Sequence, residues 1–382
     1  MTLLDFAADA KLDSAPYAIV WFILVAVLWI GFFFLEGFDF GVGMLEPFLG
    51  KNDQGRRLVM NTVGPHWDGN EVWLLTAGGA MFAAFSGWYA ALFSALYLPL
   101  FLVLVGLILR GVAFEYRSKR DSKTWRTTWD WLLAIGSFLP PLVFGVGFAN
   151  FVAGVPVLDA AQAYANNGAP VLFGDVTVPV VPFTFWALFT PFTLIGGLLF
   201  VALFLAHGAF FVALKTRGDI HDRSENYGST LAIVAGVLLL AFVIWANAGY
   251  GPNAPNTNNG KVGWLMVAAW ITGILAVVCI AFAWFMNSKK RDGWAFVGTA
   301  LATVLLVVML FCHLFPNIGF KNVDIINLYS AANSFGTLKI MTIAACCLVP
   351  IVLAYTVWSY FFVFRRRLST ANIPALEVTT AA

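Results

Sequence analysis

The residues of this 382-residue chain best placed to do chemistry fall in two stretches. Asn61 to Trp73 reads NTVGPHWDGNEVW and sets His66, Asp68, Asn70 and Glu71 among Trp67 and Trp73. Residues 32 to 45 read FFFLEGFDFGVGML and carry Glu36 and Asp39. Both stretches lie where hydropathy predicts membrane helix. An ionisable group in hydrocarbon is costly to keep, so each is a functional candidate. Carboxyl groups and an imidazole at such short spacing suit the holding and passing of protons. A carboxylate at a helix end can simply reach the lipid headgroups. The apolar run from Val42 to Phe48 after Glu36 and Asp39 argues against that here.

The elements that must position these groups follow from composition. Hydrophobic residues make up 60 % of the chain and charged residues 11 %, and the mean hydropathy is +0.83. A soluble domain is about 25 % charged, so the chain is an all-α polytopic membrane protein. Apolar runs fall at roughly 16–44, 58–86, 88–110, 127–153, 183–214, 228–250, 264–286, 293–316 and 336–364, each long enough to cross about 30 Å of hydrocarbon as helix. Nine membrane helices are therefore expected. Basic clusters at Lys51–Arg57, Arg117–Arg126, Lys215–Arg223, Lys289–Arg291 and Arg365–Arg367 all follow odd-numbered spans. The positive-inside rule then puts the N-terminus outside and the C-terminus in the cytoplasm. No basic segment precedes the first apolar run, so no signal peptide is expected. Cys279, Cys312, Cys346 and Cys347 lie within apolar spans without metal-finger spacing and read as packing residues.

The loop at Gly50–Gln54 is short and forces spans one and two into a hairpin. Residues at equal depth then have numbers summing to about 104–106, which levels Glu36 with Gly69 and Asp39 with His66. A continuous second span puts Asp68 roughly 16 Å from Arg57 along the axis. Arg110, near the end of span three, is either a snorkelling cation or a counter-ion for a buried carboxylate. Pro140 and Pro141 should kink span four. The polar stretch from Gly154 to Pro182 is the longest outside loop. His207-Gly208 in span five overlays Glu36-Gly37, a sign that residues 16–153 and 183–316 are repeats within one membrane domain, followed by a final helix over 336–364. His207 alone reads as a hydrogen-bonded core histidine, while His221 and His313 fall near the two surfaces. The tail from Ser369 onward reads as loose and dispensable.

No phosphate-binding glycine loop, dinucleotide fingerprint or HExxH metal motif is present, and no nucleic-acid partner is indicated. Four histidines, two of them near the surface, make a multi-haem site within this chain unsuitable. What remains is a Trp-lined, carboxylate-rich layer suited to moving protons, holding a quinone, or both.

LEGFDFGVG at 35–43, NDQGRR at 52–57, PHWDGNEVWLLTAGGAMFAAF at 65–85 and Glu115-Tyr116-Arg117 together resemble subunit II of the cytochrome bd family of quinol oxidases. The likeness runs through the whole chain in span order. It implies two four-helix bundles plus a peripheral helix, paired with a homologous subunit I as an obligate heterodimer in the bacterial cytoplasmic membrane. It also implies haem b and haem d on subunit I, quinol oxidation coupled to O2 reduction and cytoplasmic proton uptake, a possible bound structural quinone, and small single-helix accessory subunits. Asp68 matches the family's proton-uptake aspartate, Trp67 a position beside a structural quinone, and Trp73 one near an oxygen route. Glu36 stands where some members have Asp, which keeps the acid and lengthens it. The expected proton path is thus Asp68, Glu36, Asp39, Glu71 and His66, with Arg110 as counter-ion candidate and no catalytic residue or metal on this chain. The alternative is a proton-coupled secondary transporter, which also uses repeats and midplane carboxylates.

Overall fold

In the computed structural model, residues 3–155, 172–173, 176–177, 185–251, 263–321, 326–363 and 366–373 are described, with only the backbone at 3–13, 172–173, 176–177 and 372. Twelve α-helices follow in order among them: α1 (Leu3–Leu49), α2 (Asp53–Asn61), α3 (Trp67–Ala84), α4 (Ser86–Ala95), α5 (Tyr97–Tyr116), α6 (Lys123–Ala153), α7 (Pro191–Lys215), α8 (Asp219–Gly249), α9 (Gly263–Ser288), α10 (Asp292–Leu314), α11 (Leu328–Ala331) and α12 (Phe335–Trp358). One two-stranded hairpin, β1 (Leu172–Phe173) with β2 (Val176–Thr177), lies between α6 and α7. Most of the Gly154–Pro182 stretch, expected as the longest outside loop, falls outside the described residues.

Among the described residues, eight helical segments are long and apolar enough to cross a membrane, built on α1, α5, α6, α7, α8, α9, α10 and α12. The expected ninth, a single helix over 58–86, is not one element. Asn52 caps α2 by accepting from the Gly55 N–H at 2.8 Å, and α2 stops at Asn61. Residues 62–66 form turns, and α3 starts afresh at Trp67. Pro65 lacks an N–H and disfavours helical backbone at Gly64, which is sufficient cause. Asp68, Asn70 and Glu71 then load the first turns of α3 with polarity, so α3 falls short of the apolar threshold that the others meet. Span three is also divided, because Leu96 leaves helical geometry between α4 and α5.

The core is an inner set of helices. α7 is the most enclosed, with 83 % of its apolar window buried, followed by α6 and α10, whereas the window of α12 is 0 % buried and lies on the outside. Thr190 and Thr193 cap each other at the start of α7, and Pro191 occupies the first helical position, where its missing N–H costs nothing. The deepest approach is between α1 and α7. Added Cβ atoms at Gly41 and Gly208 would strike the backbone of the facing helix, which cannot rotate away as a side chain can. Phenylalanines 32, 33, 40, 144, 148, 200 and 204 fill the space around this crossing, mostly edge to face, with Phe40 stacked on Phe204.

α6 continues as one helix through Pro140 and Pro141. A proline's fixed φ is helical, and Gly106 of α5 gives the Pro140 ring room at close range. His313 is 1 % exposed rather than at the surface, because residues 315–320 fold under the end of α10 and pair Phe320 with Val155. The tail is anchored as far as Ile373. Leu368 donates to the Lys215 carbonyl at 2.7 Å, and the Gln54 amide donates to the carbonyls of Thr370 and Ile373 at 2.9 and 2.8 Å.

Candidate functional site

Three helices build the site. α1 contributes Glu36 and Asp39, three residues apart and so on one face. α3 contributes Asn70 and Glu71 from its first turns, just after the Pro65 turn that sets their direction. α5 contributes Arg110. Glu36, Asp39 and Arg110 are all 0 % exposed. Arg110 forms an ion pair with Glu36 and donates to Glu71 Oε1 at 2.6 Å, so one guanidinium bridges carboxylates on two helices. Its charged carbon lies 5.0 Å from the centre of the Phe40 ring and 5.6 Å from those of Trp67 and Phe114. Arg110 is a buried counter-ion and does not snorkel.

One turn further along α1, Asp39 Oδ2 accepts from the Asn70 amide at 2.6 Å. The Tyr360 hydroxyl, from the turn that ends α12, donates to Asn70 Oδ1 at 2.9 Å and lies 3.3 Å from His66 Nδ1. His66 Nδ1 is 3.9 Å from Asp39 Oδ1, which closes a ring of four side chains. The hairpin register from the sequence, Asp39 level with His66, matches this contact. Asn70 was singled out in the sequence without a place in the expected proton path, and Tyr360 was not singled out at all. Asn70 sits in the same polar block, but Tyr360 is 290 residues away in sequence and carries no local signal.

Not every expected residue joins the layer. Asp68 is exposed at the start of α3 and accepts from the Gly69 N–H at 2.8 Å. It lies outside both clusters, although Glu71 follows it by three residues on the same helix face. The 16 Å spacing from Arg57 assumed an unbroken helix and does not apply. Trp67 is half-buried, stacked on Phe114 with ring centres 5.0 Å apart. It forms a wall of a polar cleft of about 220 Å³ shared with Arg57, Asn61 and Glu115. Trp73 packs against Gly31 of α1. It does not line the small apolar cavity of about 40 Å³ between Trp29, Met81 and Phe144.

A second buried charged cluster ties the ends of the helices together beside the site. Glu46 and Asp130 are 0 % exposed and Arg117 2 %. Arg117 pairs with Asp130 and with Asp53 at 3.0 Å, and Arg56 reaches Asp130 at 2.5 Å. In the sequence Glu46 is hidden inside an apolar run, Arg117 looks like part of a basic surface loop and Asp130 like part of an aromatic belt.

Two of the buried histidines are held by core partners. His207, 0 % exposed, has both ring nitrogens engaged, Nδ1 with the Thr299 hydroxyl at 2.8 Å and Nε2 with the Phe34 carbonyl at 3.2 Å. His313 Nε2 is held by Asn247 Oδ1 at 3.1 Å.

These features define a polytopic helical membrane protein with a largely buried, charged layer inside its bundle. A family model described as cytochrome bd terminal oxidase subunit II matches residues 17–363. The chain is 39 % identical over 353 residues to the cytochrome bd ubiquinol oxidase subunit 2 of Bacillus subtilis strain 168, covering 92 % of this chain and 96 % of the relative. It is 35 % identical over 381 residues to the cytochrome bd-I ubiquinol oxidase subunit 2 of Escherichia coli K12, covering 93 % and 96 %. The fold is similar to that of the bd oxidase from Geobacillus thermodenitrificans, with a TM-score of 0.68 at 14 % identity over 91 % of this chain and 99 % of that one. The chain belongs to the cytochrome bd terminal oxidase subunit II family. It is thus a membrane-embedded subunit of an oxidoreductase complex, paired with a subunit I in an assembly that carries haem, and is not a secondary transporter.

Proposed function

We propose that this chain is the non-haem subunit of a quinol:O2 oxidoreductase and that its buried layer carries protons from the cytoplasm toward haems b and d on subunit I. The observation that carries this reading is Arg110, without solvent exposure and bridging Glu36 and Glu71. Glu36, Asp39 and Glu71 share that one guanidinium. Glu36 and Asp39 are fully buried with one guanidinium between them, and Glu71 is a quarter exposed, so ionising all three together is costly and the layer is suited to sharing protons. A group of carboxyl sites that shares protons can accept one from one side and release one to the other. Arg110, which stays charged, holds the sites close together without carrying the proton itself.

Asp68 at the exposed end, Glu71 next on its helix face, and then Glu36 form the line of transfer. Asp39, Asn70, Tyr360 and His66 form a side ring that fixes the layer against α12. The polar cleft at Arg57, Asn61 and Trp67 is the cytoplasmic mouth, or the seat of a quinone or lipid head group against Trp67; Trp73 belongs to the oxygen-route side. The fold reads as nine membrane helices once α3 is counted with the eight apolar segments. They form two four-helix bundles from pseudo-repeats over 16–153 and 183–316, with α12 peripheral. The basic loop ends face the cytoplasm, the N-terminus lies outside, and the complex sits in the bacterial cytoplasmic membrane, with room on the lipid face for single-helix accessory subunits. His207, engaged on both ring nitrogens, supports placing the haems on the partner.

The test is the complex captured through a tag on this chain and reconstituted in liposomes. Wild type and Asp68→Asn should show the same haem spectrum, with slower turnover and proton uptake in the variant. Unchanged turnover and uptake in Asp68→Asn would remove the relay and leave a structural role for the layer.

A further inference from the structure

At the basic end of the second half of the chain, outside the layer described above, three ligand-type side chains converge. His221 and Glu225 are four residues apart in the first turns of α8 and so share a face. Asp292 opens α10 opposite them. One ligand atom from each residue lies within 4.8 Å of the other two. Glu225 is 2 % and Asp292 7 % exposed. Glu225 Oε1 and Asp292 Oδ1 are buried with no hydrogen-bond partner among the described residues, a condition that folded proteins seldom leave unrelieved.

The surroundings orient the imidazole as a ligand. His221 Nδ1 lies 3.0 Å from Asp222 Oδ1, and Nε2 lies 3.2 Å from Asp292 Oδ2. A carboxylate that takes the Nδ1 proton fixes the tautomer and turns the Nε2 lone pair the other way, as in metal-ligating histidines. Here that lone pair faces a carboxylate oxygen. Either a proton on Nε2 or a metal ion in its place can bridge the two atoms.

Two exposed cations already sit against the carboxylates. Lys290 Nζ is 2.5 Å from Glu225 Oε2, and Arg367 Nη2 is 2.9 Å from Asp292 Oδ2, with side chains 70 % and 37 % exposed. Both can swing into water without opening a hole in the fold. The frame behind the ligands would stay, because the Asn287 amide donates to the Glu225 carbonyl at 3.0 Å and locks α9 to α8.

We propose that His221, Glu225 and Asp292 form a site for one divalent transition metal of the zinc class, with Lys290 and Arg367 standing in for the cation when no metal is bound. One imidazole and two carboxylates suit zinc or manganese, whereas magnesium and calcium prefer all-oxygen sets. Metal bonds of about 2.0–2.2 Å need the ligand atoms to close by roughly 1–1.5 Å, within the reach of side-chain rotation, and leave a position for water. Entry of the metal displaces Arg367, whose strap over residues 366–373 is pinned to Lys215 and Gln54.

The test is equilibrium dialysis of the chelator-stripped, detergent-purified complex against Zn2+ alone, read by metal analysis. The wild type is expected to bind one more Zn2+ per complex than the His221→Ala/Asp292→Asn double variant. Arg367→Ala, on an exposed side chain, removes a competitor and should tighten binding about two- to fivefold. That arm decides the matter even where the double variant fails to assemble. Equal zinc stoichiometry in wild type and double variant, or an Arg367→Ala variant that binds zinc no more tightly, overturns the proposal.

Discussion

Replacing Arg110 with methionine tests the charge balance of the buried layer. The side chain is 0 % exposed, pairs with Glu36 and Glu71, and lies over three aromatic rings. Removing one partner of a buried ion pair leaves the other uncompensated, a loss of about 3–5 kcal/mol. The cation–π contacts contribute about 0.5–1 kcal/mol each within that loss. Methionine has nearly the right length, so little of the effect is a cavity. The diagnostic measurement is rescue. If the cost comes mainly from stranded carboxylates, adding Glu36→Gln and Glu71→Gln should recover at least about half of it, because the residues in contact are energetically coupled. Detergent unfolding of the complex, followed by loss of the haem spectrum, gives the three free energies. A triple variant no more stable than Arg110→Met alone would refute the charge argument and assign the loss to packing.

Other outcomes follow from the same geometry. Tyr360→Phe removes the hydroxyl shared by Asn70 and His66 and should slow turnover by up to about tenfold if the ring orients the layer, with haem content unchanged. Asp130→Asn removes the buried carboxylate shared by Arg117 and Arg56; because Arg117 keeps Asp53 and Arg56 reaches water, it should cost about 1–3 kcal/mol, seen as a lower unfolding midpoint of the complex. Gly208→Val drives a side chain into the α1 backbone and should cost upward of about 1–3 kcal/mol and reduce assembled yield. His207→Gln should reduce stability by about 1–3 kcal/mol and leave the haem spectrum untouched, since both ring nitrogens serve the core.

The legible parts of the sequence were those set by local physics. A five-residue loop and a hydrophobic run on each side were enough to level Asp39 with His66, and an arginine at the edge of an apolar run near acids was a counter-ion candidate. Window hydropathy averages over breaks, so it merged α2, the Pro65 turn and α3 into one span, although Pro65 itself marked the interruption. The averaging also hid Glu46, a single acid in an apolar run whose partners Arg117 and Asp130 lie on other helices. Arg117 looked like surface because its burial depends on α6 folding back across it. Tyr360 joined the site only because α12 lies in the groove beside α1 and α3, held there by the Trp21 indole donating to the Leu338 carbonyl at 3.2 Å. Contacts of that range have no signature in the neighbouring residues. Asp68 shows the reverse case: its motif drew attention to it, yet its side chain is exposed and makes its hydrogen bond to the Gly69 N–H, outside the buried ion pairs.

The most direct measurement of the central claim is proton uptake by Glu36→Gln during turnover of the reconstituted complex, followed with a pH indicator while the haem spectrum reports assembly. Glutamine keeps the size of the side chain and removes its capacity to carry a proton. With Glu36 on the path, uptake should slow by about tenfold or more in a complex whose haem content matches the wild type. Uptake at the wild-type rate would contradict the account and leave Glu36, Glu71 and Arg110 as a structural clamp between α1, α3 and α5.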